Sequence, residues 1–479
     1  MKSTLLKQVY QPEQFREQGH ALIDLLANHM ESCQQQEDKK VINWNLPEDE
    51  KTFWDEFLQQ GSEKDFFKEV LSHTTHVHNP RYIGHQVCAP APLAALSGLV
   101  SSILNNGMAV YEMGMAPTAI ERIITDLIAN KIGFDKDSRG ILTSGGTLAN
   151  LTALLAARKA KVRGDVWKDG SSNPLAIMVS EEAHYCVDRA ARIMGLGTQG
   201  IIKVPVTDNF EINSSELESC FQEAKEKGLE VFALVGSAPS TATGIYDDLE
   251  ALAAFSRRHN LWFHVDGAHG GAAVFSKKYK ETVKGIHLAD SVVIDGHKMM
   301  LMSTITTALI FREGRHSHTI FSQDAEYLLQ HSDDEDWFNL AKRTFECTKT
   351  MMSLQWFLLL KTYGEEVFDD NVTTLYDLGQ DLAKMIGETP DLELAVVPDS
   401  NIVCFRYFPE GLPLNEVNEV NKRIRQELLQ EGRFYIVQTR IRGRQYLRCT
   451  IMNPFTTTEH LKELLSLIIS KGRRGHLNA

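Results

Sequence analysis

The chain has 479 residues, 43% of them hydrophobic and 24% charged, a composition typical of a globular enzyme with two or three domains. A formal net charge of −13 argues against a dedicated nucleic-acid binder, because phosphate backbones require a basic face. The seven cysteines are scattered without a CxxC pair, and no apolar run is long enough to span a membrane. We therefore expect no disulfide framework, no metal site and no membrane span, and a cytoplasmic location.

Residues 1–78 are predicted to form an N-terminal helical segment. Apolar residues recur at helical spacing in Phe15–His29 and in Thr52–Leu71, and the intervening positions are mostly polar.

Residues 79–345 are predicted to form a large α/β domain. Four short apolar runs indicate buried strands: Ala176–Ser180, Val231–Gly236, Leu261–Asp266 and Ser291–Asp295. Helical patterns lie between or beside them: Thr147–Val162, His184–Gly195, Ser214–Glu226 and Asp248–His259. Such alternation predicts a mostly parallel sheet, with the active site beyond the carboxyl ends of its strands.

Residues 346–479 are predicted to form a smaller C-terminal domain. A long helical pattern at Cys347–Thr362 precedes an α+β pattern that includes the runs Ile402–Tyr407 and Tyr446–Met452.

A glycine pair at the start of a predicted helix is the first candidate for chemistry. Gly145, Gly146 and Thr147 follow a predicted turn, and two glycines allow an anion to approach the free N–H groups of a helix start. A phosphate fits there, although an ordinary strand-to-helix turn with a threonine cap explains these residues equally well in isolation.

Two charged residues at strand ends are the next candidates. Asp266 ends a buried strand, where a carboxylate requires a cationic partner such as a protonated pyridine nitrogen. Lys298 follows another buried strand, and desolvation of its amine would make it nucleophilic toward an aldehyde. A structural ion pair for Asp266 and a surface position for Lys298 are the alternatives when each is taken alone.

His184 and Thr241 also follow predicted strands. The imidazole of His184 can stack on a flat heteroaromatic ring, and the hydroxyl of Thr241 can donate to such a ring or to a phosphate. A core histidine and a turn threonine are the simpler explanations for either residue alone.

Taken together and in this order, these residues resemble the group II pyridoxal-phosphate decarboxylases. The resemblance runs from about Asn79 to the C-terminus, and four motifs carry it: TSGGTLAN at 143–150, EEAHYCVDRAA at 181–191, WFHVDGAHGG at 262–271 and ADSVVIDGHKMM at 289–300. The run HVDxAxGG followed by ADS and HK is the most specific part.

The resemblance implies the aspartate-aminotransferase fold (fold type I), pyridoxal phosphate as cofactor, and a homodimer with active sites shared between subunits. It implies that Lys298 is the Schiff-base lysine, that Asp266 binds the pyridinium nitrogen and that His184 stacks on the ring. The remaining cofactor positions that it implies are Gly145, Gly146, Thr147, Thr241, Ala268 and His297.

The resemblance also implies a substrate pocket around Tyr82, Met108, Glu112 and His269. Three positions depart from the usual family pattern: Asp295-Gly296 replaces Asn-Pro, Pro239-Ser240-Thr241 replaces Gly-Thr-Thr, and His269 replaces an aromatic residue. The form HVDGAHG is similar to bacterial diaminobutyrate and lysine decarboxylases, so a basic diamino acid is the expected substrate. An acidic or aromatic amino acid is the alternative.

Other activities remain open from the sequence. Residues 331–343, which correspond to the mobile loop of the family, lack the tyrosine that protonates Cα in aromatic amino acid decarboxylases, and this permits an aldehyde synthase. An aminotransferase would need an arginine for the substrate carboxylate, with Arg440, Arg442, Arg444 and Arg448 as candidates. A non-catalytic binding protein is a third reading, which the presence of Lys298, Asp266 and His184 disfavours.

Overall fold

The structure is a computed structural model that describes residues 4–35, 39–321 and 336–476. Its helices are α1 (Thr4–Val9), α2 (Pro12–Gln35), α3 (Pro47–Gln60), α4 (Phe66–Ser72), α5 (Pro92–Leu104), α6 (Tyr111–Ile132), α7 (Gly146–Lys161), α8 (Val166–Asp169), α9 (Tyr185–Ile193), α10 (Leu217–Glu226), α11 (Leu249–Arg258), α12 (Arg315–His318), α13 (Ser353–Tyr363), α14 (Glu366–Gly387), α15 (Leu414–Glu431) and α16 (Thr458–His476). Its strands are β1 (Arg139–Thr143), β2 (Leu175–Ser180), β3 (Ile201–Val204), β4 (Glu230–Ser237), β5 (Trp262–Asp266), β6 (Ser291–Asp295), β7 (Thr307–Phe311), β8 (Leu392–Leu394), β9 (Ile402–Tyr407), β10 (Val437–Ile441) and β11 (Arg444–Thr450).

The N-terminal segment is helical, but one predicted helix is divided in two. The apolar pattern at Thr52–Leu71 continues across Gly61, whereas the structure ends α3 at Gln60 and begins α4 at Phe66. Gly61 has an extended conformation, and its N–H closes the last turn by donating to the carbonyl oxygen of Phe57. Glycine has no side chain to favour continuation of the helix, so the periodic pattern alone was misleading here.

A seven-stranded sheet forms the centre of the molecule, with the strand order β1-β7-β6-β5-β4-β2-β3. The neighbouring pairs from β3 to β6 are parallel, and β7 is antiparallel to both β6 and β1. Strands β2, β5, β6 and β7 are buried along their whole length, because helices cover both faces of the sheet. The prediction of an α/β fold with a mostly parallel sheet is confirmed.

The register of the parallel strands brings their polar carboxyl ends together. Ser237 at the end of β4 lies opposite Asp266 at the end of β5, and Asp266 lies opposite Val293 of β6. β6 ends two residues later at Asp295, just before His297 and Lys298. The carboxyl edge of the sheet therefore carries the candidate site residues that were identified from the sequence.

A second sheet of four antiparallel strands, ordered β10-β11-β9-β8, packs with α14, α15 and α16 in the C-terminal part. The predicted helix at Cys347–Thr362 begins later, at Ser353. Lys349 is fully buried before it and donates to Glu121 and to the carbonyl of Leu142, both at 2.5 Å. This tertiary contact overrides the helical pattern of the preceding residues.

Within the described residues, no helix is both long enough and apolar enough to cross a membrane. The division of the chain into domains at residues 78 and 345 stays a prediction.

Candidate functional site

A cavity of about 310 Å³ lies at the carboxyl edge of the large sheet. All nine residues that were predicted from the sequence to bind the cofactor, together with His269, line this cavity. The lining consists of Ser144, Gly145, Gly146, Thr147, Asn150, His184, Cys186, Ser237, Pro239, Thr241, Asp266, Ala268, His269, Asp295, His297, Lys298 and Ile305.

The start of α7 forms one wall of the cavity. Gly145 caps this helix with a φ of +103°, a conformation that strongly favours glycine. A Cβ atom on Gly146 would lie 3.1 Å from Asp295 Oδ1 and 3.4 Å from the Cβ of Ala268. The first N–H groups of a helix have no intrahelical acceptor, so the absence of side chains here leaves them open to a phosphate.

Asp266 presents a carboxylate in the interior of the cavity. Its side chain is only 9% exposed, Oδ1 accepts from the N–H of Ala268 at 3.2 Å, and Oδ2 lies 3.9 Å from Cys186 Sγ. Among the described residues Asp266 forms no ion pair. A buried carboxylate without a cation is costly, and a protonated ring nitrogen would supply the missing charge.

Lys298 lines the same cavity, close to Asp295 and His297. Its Nζ is 3.0 Å from Asp295 Oδ2, and Nε2 of His297 is 3.7 Å from the same oxygen. Thr307 donates to Asp295 Oδ1 at 2.5 Å. Asp295, which replaces the usual asparagine, therefore orients the amine of Lys298 within the cavity.

His184 precedes α9 and caps that helix. Its Nδ1 accepts from the N–H of Cys186 at 3.3 Å, so the ring carries its proton on Nε2. Burial lowers the pKa of His184, with a further contribution from the charge of Lys298 opposed by that of Asp266. The ring is therefore neutral near pH 7.

A buried network behind Asp266 was not predicted from the sequence. His264 Nε2 bonds Asn150 Oδ1 at 2.7 Å, and its Nδ1 bonds Ser291 Oγ at 2.8 Å. Asn150 donates in turn to Cys186 Sγ at 3.4 Å, beside Asp266. Complete burial lowers the pKa of His264 to about 4. Both Asn150 and His264 stand inside the family motifs, which is the signal that could have identified them.

One ring nitrogen of His269 is held by a hydrogen bond, and the other is an acceptor without a partner in the described chain. Asn401 donates its amide to the carbonyl of Ile451 at 2.6 Å, so its Oδ1 accepts from His269 Nε2 at 2.7 Å. The Nδ1 of His269 is buried and has no hydrogen-bond partner among the described residues. Burial is the main cause that lowers the pKa of His269 to about 3, which keeps this nitrogen unprotonated.

The structure distinguishes the four candidate arginines. Arg440, Arg442 and Arg444 are exposed, whereas Arg448 is buried behind Thr241, to whose carbonyl its Nη1 donates at 2.8 Å. The Nε of Arg448 is buried without an acceptor, and the side chain forms no ion pair in the described part of the chain. A buried guanidinium without a carboxylate partner is suited to bind an anion.

Three residues assigned to the substrate pocket do not line this cavity in the single chain. Tyr82 is buried and its ring stacks on Tyr435 at 5.5 Å, and Met108 is buried against Leu340 and Met351. Glu112 is exposed in the first turn of α6. Their role in the pocket stays a prediction.

The predicted mobile loop at 331–343 is only partly within the described residues, because 331–335 lie outside them. In the described portion, Lys342 pairs with Asp336 at 2.5 Å and Arg343 is buried.

The geometry fits pyridoxal phosphate at its phosphate, its aldehyde and its ring nitrogen. The start of α7 suits the phosphate, Lys298 suits the aldehyde, and Asp266 suits the ring nitrogen. Thr241 and Ala268 also line the cavity between these points.

Comparison with known proteins gives the same result. The model of the family described as the pyridoxal-dependent decarboxylase conserved domain matches residues 47–408. L-2,4-diaminobutyrate decarboxylase of Acinetobacter baumannii is 27% identical over 87% of this chain and 84% of its own length. The aromatic-L-amino-acid decarboxylase of Bacillus atrophaeus is 26% identical over 95% of each chain.

The crystal structure of mouse CSAD superimposes with a TM-score of 0.89 at 22% identity, covering 96% of this chain and 99% of the mouse chain. The predicted fold type I architecture is thereby confirmed. The cofactor of the family is pyridoxal phosphate, and the expected decarboxylase chemistry is confirmed with it. This chain belongs to the pyridoxal-dependent decarboxylase family and is a pyridoxal-phosphate-dependent amino acid decarboxylase.

Proposed function

We propose that this decarboxylase acts on an L-amino acid whose side chain ends in an ammonium group, such as 2,4-diaminobutyrate or lysine. The unpaired acceptor Nδ1 of His269 is the observation that carries this proposal, because an ammonium group is a donor and cannot accept. Lys298 is the only lysine or arginine among the described residues that line the cavity. A side-chain carboxylate would therefore find no second cation there, whereas Asp295 adds negative charge.

The residues of the cavity have different roles in the reaction. Bound pyridoxal phosphate supplies the electron sink for the pair released from the bond between Cα and the carboxylate. Lys298 would hold the cofactor through its amine, the group that the substrate amine would replace. Asp266 would keep the ring nitrogen protonated, and the neutral ring of His184 would lie against the cofactor.

Arg448 is proposed to hold the substrate α-carboxylate. Its guanidinium is buried beside Thr241, which lines the cavity, and Nε still has a free donor. A guanidinium that holds the carboxylate would fix the direction of the bond that breaks, and this orientation would favour decarboxylation over the other reactions of the cofactor.

We also propose a homodimer in which each subunit completes the site of its partner. Helix α5 and the start of α6 carry eight apolar side chains that are each between 42% and 61% exposed: Leu96, Leu99, Val100, Ile103, Leu104, Tyr111, Met113 and Met115. So large an exposed apolar surface favours burial against a second chain. Glu112 lies within it and has no partner in the described chain, so it is available to the substrate of the other subunit.

An aldehyde synthase is the second candidate. The absence of tyrosine from 331–343 supports it, because slow proton return to Cα leaves time for oxygen to react. Oxygen consumption with formation of aldehyde and hydrogen peroxide would distinguish this outcome from simple release of an amine.

In the deciding experiment, the purified enzyme is assayed with a panel of L-amino acids that includes 2,4-diaminobutyrate, lysine, aspartate, glutamate and the aromatic amino acids. Carbon dioxide, amine, aldehyde and keto acid are measured for each. We expect one amine per carbon dioxide, and the highest kcat/KM for a diamino acid. Preference for an acidic or aromatic substrate would overturn the substrate assignment, and stoichiometric keto acid would indicate an aminotransferase.

A substitution at His269 tests the proposed role of this residue in substrate selectivity. His269→Phe should lower kcat/KM for the diamino acid by roughly 10- to 100-fold, the value of a hydrogen bond to a charged group, with a smaller change for an uncharged amino acid. His287→Phe, which alters an exposed histidine outside the cavity, is the matched control. An equal loss on both substrates would show that His269 has no part in selectivity.

A further inference from the structure

A second group of potential ligands lies in the N-terminal part, outside the catalytic cavity. His29 and Cys33 are one turn apart on α2, and His76 follows α4 in the segment that leads to Asn79. Their ligand atoms all lie within 4.8 Å of one another. A metal site could not be predicted here, because His76 is 43 residues from Cys33 in the chain and only the fold brings the two together.

The geometry within this group leaves one nitrogen of each imidazole available. Lys39 Nζ lies 3.4 Å from His29 Nδ1, while His29 Nε2 points at Cys33 Sγ at 3.5 Å. His76 is 4% exposed, and its Nδ1 has no hydrogen-bond partner among the described residues.

We propose that His29 Nε2, Cys33 Sγ and His76 Nδ1 bind one zinc ion. Two imidazoles and a thiolate form a ligand set that zinc accepts in tetrahedral sites, and such a set leaves a fourth position open. Zinc binding releases the thiol proton of Cys33 to solvent and moves the ring proton of His29 to Nδ1. Lys39 keeps its hydrogen bond to Ser32 Oγ, which is 3.0 Å long.

The surroundings indicate what the fourth ligand is. His29 and His76 line a cavity of about 400 Å³, which is also lined by Lys39, Lys40 and Lys68. Three lysines beside the ion favour an anion, such as hydroxide or a carboxylate, in the open position. The bound ion would connect α2 to the segment after α4 and so stabilise the N-terminal part against the rest of the chain.

The test uses untagged enzyme that retains its pyridoxal phosphate, freed of metal with a chelator and titrated with Co²⁺ as a coloured substitute for zinc. We expect one Co²⁺ per chain, a thiolate-to-cobalt band in the difference spectrum, and displacement of that band by Zn²⁺. Cys33→Ser should abolish the band, and His76→Ala should weaken Co²⁺ binding at least tenfold. Cys347→Ser, which alters an exposed cysteine, should leave both unchanged.

Lys39→Met tests the electrostatics without removing a ligand. Binding exchanges a proton for a divalent ion and so adds one positive charge beside Lys39, which means that the variant should bind Co²⁺ more tightly. Cofactor absorbance and the unfolding temperature verify that each variant is folded. The proposal is wrong if wild-type enzyme binds no stoichiometric Co²⁺, if Cys33→Ser keeps the band, or if Cys347→Ser loses it.

Discussion

The carboxylate of Asp266 illustrates how a single residue can be assigned from its missing partner. It ends β5, is buried, and receives only a backbone N–H and a weak thiol contact in the described chain. Elsewhere in the interior, the buried Lys349 is paired with Glu121. A buried charge that the protein leaves unpaired indicates a ligand that carries the opposite charge.

Asp266→Asn should therefore reduce kcat by roughly 10²–10³-fold, because the amide cannot stabilise a protonated ring nitrogen. The cofactor should remain bound, since Lys298 and the start of α7 are unchanged. Steady-state rates and the visible spectrum measure the two effects. Asp208→Asn, at a fully exposed carboxylate, is the control, and equal rates for both variants would contradict the assignment.

At the residue scale, the sequence predicted those site residues that belong to recognisable motifs. Lys298, Asp266 and His184 stand at strand ends, where periodicity and chemistry point to the same place. The roles of Asn150 and His264 could not be predicted, because their hydrogen bond joins positions 114 residues apart. The unpaired state of Arg448 likewise depends on neighbours that only the folded chain supplies.

At the scale of elements, the turn into α7 is the place where an added methyl group would affect the cofactor site. A Cβ on Gly146 would contact Asp295 and Ala268 at distances that require the neighbours to move. It would also narrow the approach to the helix N-terminus, where the phosphate is expected to bind.

Gly146→Ala should weaken binding of pyridoxal phosphate roughly tenfold, about 1.4 kcal/mol, with little change in kcat at saturating cofactor. Titration of cofactor-free enzyme by absorbance measures this affinity. Gly19→Ala is the matched control, because a Cβ at that position of α2 meets nothing within 4 Å. Unchanged affinity in Gly146→Ala would place the phosphate elsewhere.

Some strands were predicted accurately from the sequence, and others were not predicted. The parallel strands β2, β4, β5 and β6 have apolar runs bounded by polar residues, and their predicted bounds differ from the structure by one residue at most. Strands β1, β3 and β7 were not predicted, and the place of β7 between β1 and β6 follows from long-range pairing. Threonines and a serine before β7 made its apolar run look interrupted in the sequence.

At the scale of the whole molecule, the exposed apolar surface on α5 and the start of α6 predicts a dimer. The double variant Leu99→Glu with Ile103→Glu places two charges on one face of α5 and should convert the dimer to a monomer with low activity. Light scattering coupled to chromatography gives the mass. Val397→Glu, at another exposed apolar side chain, should remain dimeric. A wild-type monomer would contradict the proposal.

Buried histidines predict a loss of stability in mild acid. Burial lowers the pKa of His264 to about 4, whereas the unfolded chain takes up that proton near 6.5. Because the unfolded state binds more protons, the free energy of unfolding should fall as pH drops from 6.5 to 4, by about 3 kcal/mol for this residue. Asp247, whose pKa burial raises to about 6, acts in the opposite direction.

Burial also lowers the pKa of His78, His85 and His269, and it raises the pKa of Glu182 and Asp399. The histidines, counted with His264, outnumber the three carboxyl groups that act in the opposite direction, so the net change should be destabilising. Urea unfolding followed at several pH values between 7.5 and 4.5 measures it. His264→Gln should give a shallower pH dependence than wild type. A wild-type free energy of unfolding that rises toward acid would contradict this prediction.

The covalent attachment of the cofactor to Lys298 is the most direct test of the whole account. Borohydride reduction of the cofactor-loaded enzyme, followed by proteolysis and mass spectrometry of the peptides, identifies the residue that carries the cofactor. We expect the phosphopyridoxyl group on the peptide containing Lys298, and no peptide labelled by borohydride in Lys298→Ala. Modification of a different lysine, such as Lys349 or Lys342, would contradict the account.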